Sequence, residues 1–107
     1  MASPKLLILD EPCTGLDVFA REQLLQMIAA VAEQQEAPTI IYVTHHVEEI
    51  LPCFTKSLLL KDGQVFAASD TSELLTSGIM SEFFAVPVEI DRRGGRSWLS
   101  VKGDLWN

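Results

Sequence analysis

Basic residues are scarce in this chain of 107 residues: eight Lys and Arg stand against fifteen Asp and Glu, for a formal net charge of −7. A nucleic-acid surface needs clustered cations to neutralise phosphates, so this balance argues against nucleic acid as a partner. The nearest approach to a basic cluster is Arg92, Arg93 and Arg96 around Gly94 and Gly95, which reads as the solvated tip of a hairpin. Cysteine is scarce as well. Cys13 and Cys53 lie in unrelated contexts without CxxC spacing, which speaks for reduced thiols in a cytoplasmic protein and against a disulfide framework. A zinc site built from them with His45 and His46 would lack metal-ligand spacing in each pair. No apolar run approaches the roughly 20 residues of a membrane span, and "MASPK" has no apolar signal region. Apolar residues, by contrast, are plentiful. At 48% hydrophobic, a chain long enough for only one small domain is expected to carry apolar surface meant for something else.

Leu6 to Leu9 is an unbroken aliphatic run between Pro4 and Pro12, the pattern of a strand covered on both faces in a parallel sheet. Asp17 can cap the helix that follows, because Leu24, Leu25, Ile28, Val31 and Ala32 recur at helical spacing among Glu22, Gln26, Glu33 and Gln34. That spacing predicts an amphipathic helix over 18–35, ended by "EAPT". Thr39 to Val43, "TIIYV", is a second apolar and β-branched run. Strand, helix, strand implies a right-handed parallel crossover, with both strands central in their sheet. Downstream, "VEEIL" reads as a short helix stopped by Pro52, and Asp62-Gly63 between two apolar runs as a tight hairpin turn. "DTSELL" resembles a capping box in which Asp70 or Thr71 opens a helix and Glu73 reaches back, with Gly78 at its end. "VPVEIDRRGGRSWLSV" reads as two strands around a Gly-Gly turn, with Trp98 and Trp106 in a small accessory hairpin.

In an open parallel α/β sheet, ligands sit beyond the carboxyl ends of the strands. Both apolar runs end there in ionisable residues: Asp10 and Glu11 after the first, Thr44, His45 and His46 after the second. Consecutive side chains at a strand end diverge, so one carboxylate can hold a hard cation, directly or through its water, while the other orients a nucleophilic water. Pro12 biases Glu11 towards an extended backbone. A nearby imidazole could donate to a phosphoryl oxygen as charge develops on it. Each part has a bland counterpart: aliphatic strands often end in Asp-Glu by chance, and a lone His after a strand is commonly a surface residue.

The ordered set "LLILDEP", "TGLD", "IIYVTHH" and "LLLKDGQV" is far more specific. From about Lys5 to about Leu75 it resembles the C-terminal half of the nucleotide-binding domain of ATP-binding cassette (ABC) ATPases. The resemblance implies an α/β fold: part of a P-loop NTPase core with parallel strands and a crossover helix, then antiparallel hairpins and short helices. Residues 1–81 would be the ATPase part and 82–107 an accessory hairpin of the same domain. It implies that Leu6 to Glu11 are the Walker B strand, with Asp10 associated with magnesium and Glu11 the catalytic base. Gly15, Leu16 and Asp17 would be the D-loop at the interface between two such domains, and His45 the switch histidine that contacts the γ-phosphate of ATP. His46 stands where many members have Asp, and Cys13 where Thr or Ser is usual; both are read as structural.

The sequence contains no G-x-x-x-x-G-K-[ST] loop, glutamine-loop segment or LSGGQ-like signature. Without the backbone cradle and Lys of the phosphate loop, Asp10, Glu11 and His45 have no anchored phosphate to act on. The expectation is therefore a fragment, or the product of a truncated gene, that alone neither binds ATP tightly nor hydrolyses it. The parent would be the ATPase subunit of an ABC transporter, cytoplasmic and peripheral to the inner face of the membrane. Its partners would be a second nucleotide-binding domain and transmembrane permease subunits. A non-catalytic module that pairs with a complete ATPase domain, and a piece of a soluble non-transport ABC ATPase, are the competing readings. Apolar strands covered on one side only also point to a homodimer through exposed core faces, or a swapped oligomer. "VTHH" occurs in some molybdate- or metal-related members, too slight a feature to fix a transported substrate.

Overall fold

The aliphatic run near the start forms β1 (Leu6–Asp10), and the β-branched run forms β2 (Thr39–Val43), in a computed structural model that describes residues 5–102. They pair in parallel, Leu6 opposite Thr39 and Asp10 opposite Val43, joined by the crossover helix α1 (Val18–Ala32). Trp106 lies outside the described residues, as does Pro4. The described chain falls into two units, one up to Cys53 and one from Phe54 onwards.

In the first unit, α1 stops three residues before the predicted Gln35. The Glu33 N–H closes it on the carbonyls of Ala29 and Ala30 at 3.1 and 3.3 Å, and residues 33–37 are all exposed. With no apolar side chain to bury, further turns would gain nothing against their ordering cost. Leu25 and Ile28, one turn apart on the inner stripe of α1, are buried, as are Cys13, Val47 and Leu51. The expected helix through "VEEIL" shrinks to one 3-10 turn, Val47–Glu49.

Register decides which strand residues are covered. Leu7, Leu9, Ile40 and Tyr42 share one face of the β1–β2 pair and are half-buried. Leu6, Ile8, Ile41 and Val43 share the other and remain between 44% and 59% exposed. The expectation of central strands covered on both sides is corrected: each strand has one hydrogen-bonded neighbour among the described residues, because the remaining strands pair in separate two-stranded sheets.

The second unit begins with the hairpin β3 (Lys56–Lys61) and β4 (Gln64–Asp70). Asp62 and Gly63 both adopt left-handed backbone, φ 53° and 75°, as a tight two-residue turn between right-twisted strands requires. Helices α2 (Thr71–Leu74) and α3 (Ser77–Phe84) and the hairpin β5 (Val88–Arg93), β6 (Arg96–Val101) follow. Leu74, Leu75, Met80 and Val88 are its buried apolar residues. Three local expectations change. The capping box does not form: Asp70 pairs with Lys56, and Glu73 accepts from Ser69 Oγ at 2.5 Å. Gly78 does not end a helix but lies in the first turn of α3, which Thr76 caps by accepting the Ile79 N–H at 3.2 Å. Arg92 is no free tip cation, since its guanidinium donates to the carbonyls of Ser72 and Leu75 at 3.1 and 3.0 Å and so satisfies the end of α2.

The two faces of the first unit predict opposite mutational costs. Ile28→Ala should destabilise by about 2–5 kcal/mol through the cavity it leaves. Ile8→Ala on the open face should cost about 1 kcal/mol or less. Urea midpoints for the two variants check this, and equal losses would contradict the assignment of faces.

Candidate functional site

At the carboxyl end of β1 the parallel ladder continues one residue further, the Glu11 N–H donating to the Val43 carbonyl at 2.8 Å. Glu11 itself has a left-handed backbone, φ 50°. This overturns the extended conformation expected from Pro12. The chain reverses here into the turn 11–16, where the Thr14 N–H reaches the Glu11 carbonyl at 3.2 Å. The non-glycine residue carries that reversal at a cost of about 1–2 kcal/mol.

The reversal aims the Glu11 side chain at the loop after β2. Its Oε1 accepts the His45 backbone N–H at 3.1 Å and pairs with His45 Nδ1. Two groups of His45, 34 positions further along the chain, thus share one carboxylate oxygen of Glu11, whose side chain is one-third exposed while the His45 ring is mostly exposed. The His46 N–H donates to Thr44 Oγ1 at 3.0 Å, its ring lies 4.1 Å from that of His45, and its Nδ1 stands 3.8 Å from Glu48 Oε1. Asp10 ends β1 with its side chain exposed on the open face. Gly15 takes φ 82° in the turn, a conformation glycine adopts without steric cost. Asp17 caps α1 by accepting the Ala20 N–H at 2.8 Å. The structure thus brings Glu11 and His45 into contact, sets Asp10 beside Glu11 in the chain, and gives Gly15 and Asp17 backbone and capping work in the connecting loop.

Behind the rim is a polar cluster that the sequence did not signal. Tyr42 Oη donates to Glu49 Oε1 at 2.6 Å and lies 3.4 Å from Cys13 Sγ. Glu49 is 4% exposed and Cys13 6%. Burial, then the contacts with Cys13 and Glu49, push the Tyr42 phenol well above its ordinary range; burial likewise raises the Cys13 thiol. The available hint was a tyrosine in an otherwise aliphatic strand. The crossover brings Cys13, 29 positions before, to the phenol, and the 3-10 turn brings Glu49, 7 positions after.

The arrangement offers a carboxylate and an imidazole on one water-accessible rim, next to a second carboxylate. Such a set can take a proton from water, donate to an anion and hold a hard cation.

Two outcomes follow. Tyr42 is the chain's single tyrosine, so tyrosinate absorbance reports it alone. Its phenol is raised in the folded state, so the stability it contributes is present below the unfolded value of about 10 and is lost as pH rises above it. Absorbance should therefore appear together with unfolding; titration near pH 10 in a folded chain would contradict the burial. Asp17→Ala should lower stability by about 1 kcal/mol, read from the urea midpoint, by leaving the start of α1 uncapped.

Comparison with known proteins gives a consistent set. No family model matches the chain. An uncharacterised ABC transporter ATP-binding protein of Bacillus subtilis, YlmA, is 57% identical over all 107 residues, which span 40% of its length. A second such protein, YmeB of Lactococcus lactis, is 43% identical over 89 residues, 83% of this chain and 34% of its own. The molybdenum import ATP-binding protein ModC of Albidiferax ferrireducens is 41% identical over 75 residues, 70% of this chain and 20% of its own. Among solved structures, an ABC transporter described as of the metal-chelate type, in an inward-facing conformation, superposes with a TM-score of 0.77. That match covers 96% of this chain and 42% of the other at 22% identity, a likeness of fold.

Proposed function

The chain is homologous along its whole length to part of an ABC transporter ATP-binding protein, and on that premise we propose that it is the segment that supplies the water-activating side of the ATPase site. The observation that carries this reading is the meeting of Glu11 and His45 at the carboxyl rim of the parallel pair. Glu11, anchored by its backbone to β2, acts as general base towards the attacking water. His45, held by Glu11 through both its N–H and its Nδ1, presents its other ring nitrogen to the γ-phosphate as charge develops there. Asp10 fits magnesium as an exposed hard-oxygen donor, directly or through a water; bound with the nucleotide, that ion would neutralise phosphate charge. Gly15 and Asp17 shape the turn that faces a second nucleotide-binding domain. Solute transport through transmembrane permease subunits, from the cytoplasmic face of the membrane, is the activity of the whole assembly. No helix among the described residues is long and apolar enough to cross a membrane.

The chain contains no phosphate-binding loop, so on this reading the 107 residues by themselves neither bind ATP tightly nor hydrolyse it. Titration of a fluorescent ATP analogue with magnesium into the chain should show no low-micromolar binding; such binding would overturn that part. The positive arm is a chimera in which this chain replaces the matching segment of the Bacillus subtilis relative. It should hydrolyse ATP. Glu11→Gln should lower its kcat by about 10²–10⁴, and an unchanged kcat would sink the assigned role.

The open face of Leu6, Ile8, Ile41 and Val43 favours a second reading, a module that pairs with another polypeptide or with its own copy. Light scattering at high concentration separates the cases: a dimer supports self-pairing, and a clean monomer rejects it.

A further inference from the structure

Of the polar clusters outside the rim, the one made by Cys13, Tyr42 and Glu49 carries the argument furthest. Three segments meet at the Tyr42 phenol oxygen: the turn that follows Glu11, through Cys13 Sγ at 3.4 Å; strand β2, which carries Tyr42; and the 3-10 turn that follows the histidines, through Glu49 Oε1 at 2.6 Å. Glu11 lies two positions before the first contact. His45 lies between the other two, three positions after Tyr42 and four before Glu49. A carboxyl group at 4% exposure is costly to bury without a partner, and the phenol supplies a 2.6 Å hydrogen bond to it. Backbone geometry alone fixes Glu11 to β2 through Val43, but the loop that carries His45 hangs between β2 and the 3-10 turn. The bond between Tyr42 and Glu49 ties the far end of that loop to the strand, beside the burial of Val47 and Leu51.

We propose that Tyr42 and Glu49 are positioning residues which, by pinning the 3-10 turn and the Cys13 turn to β2, hold His45 against the Glu11 carboxylate. The proposal rests on the ATPase reading only for the purpose of that pair; the brace itself is a property of this chain without nucleotide. Each acts through the loop that it anchors. Glu49 sits in the first unit's interior with Cys13, Leu25, Ile28, Val47 and Leu51, so the brace belongs to the same core that fixes α1.

The test uses the 107-residue chain and amide hydrogen exchange by NMR, with urea midpoints measured in parallel. The reporter is the His45 N–H, which donates to Glu11 Oε1 at 3.1 Å, and the reference is the Ile41 N–H within the β1–β2 ladder. Tyr42→Phe and Glu49→Ala should each speed His45 exchange about tenfold or more beyond any change at Ile41. Glu49→Gln, whose side-chain carbonyl still accepts from the phenol, should keep His45 within about twofold of the parent. Should a single variant fail to fold, Tyr42→Phe with Glu49→Leu removes both polar partners and leaves none orphaned. It should regain stability while His45 stays fast. Exchange at His45 that only tracks Ile41, or that returns with stability in the double variant, would overturn the proposal and leave the cluster as packing. An inactive chimera in the ATP hydrolysis experiment would overturn the ATPase reading and leave this result standing.

Discussion

The hydrogen bond from the Glu11 N–H to the Val43 carbonyl, 2.8 Å long, is the constraint on which the rest of the rim depends. It extends the parallel ladder past Asp10, so β1 delivers two carboxylates rather than one to the edge where ligands bind. Past that bond the backbone at Glu11 turns left-handed, φ 50°, into the turn closed by the Thr14 N–H on the Glu11 carbonyl, and the Glu11 side chain meets the loop after β2. The same reversal starts the turn through Gly15 to Asp17 and sets where α1 begins. Register, reversal and helix start are one device, and a one-residue slip would put Asp10 where Glu11 stands and send every strand side chain to the opposite face.

Packing leaves one face of this device open. The Leu7, Leu9, Ile40 and Tyr42 face is half-buried, whereas Leu6, Ile8, Ile41 and Val43 stand open. The chain spans 40% of the length of the Bacillus subtilis relative that it matches from end to end. An apolar face of this kind is ordinary in a sheet that continues into further chain and unusual in a finished monomer.

Much of this was legible before folding. Strand, helix, strand followed from aliphatic runs separated by a helical stripe, and the Asp62-Gly63 turn from residue types that tolerate positive φ. The rim residues followed from asking what each apolar run ends in. Illegible were features decided by contacts that residue types and spacing do not specify. Pro12 argues locally for an extended Glu11, and the turn closed by the Thr14 N–H on the Glu11 carbonyl overrides it. Arg92 reads as a solvated cation until α2 presents it with two carbonyls. Glu73 reads as half of a capping box until Ser69 engages it. Tyr42 and Glu49 carry no local signature, because their bond depends on how the 3-10 turn folds back on β2 and not on spacing.

The measurement that bears most directly on this account is residue-resolved hydrogen exchange at the Glu11 amide of the 107-residue chain. If the ladder runs through to the Val43 carbonyl, Glu11 should be protected to within about tenfold of the Leu9 and Ile41 amides. Exchange at the rate of an unprotected loop would mean that the strands part at Asp10, and the pairing of Glu11 with His45 would lose its foundation.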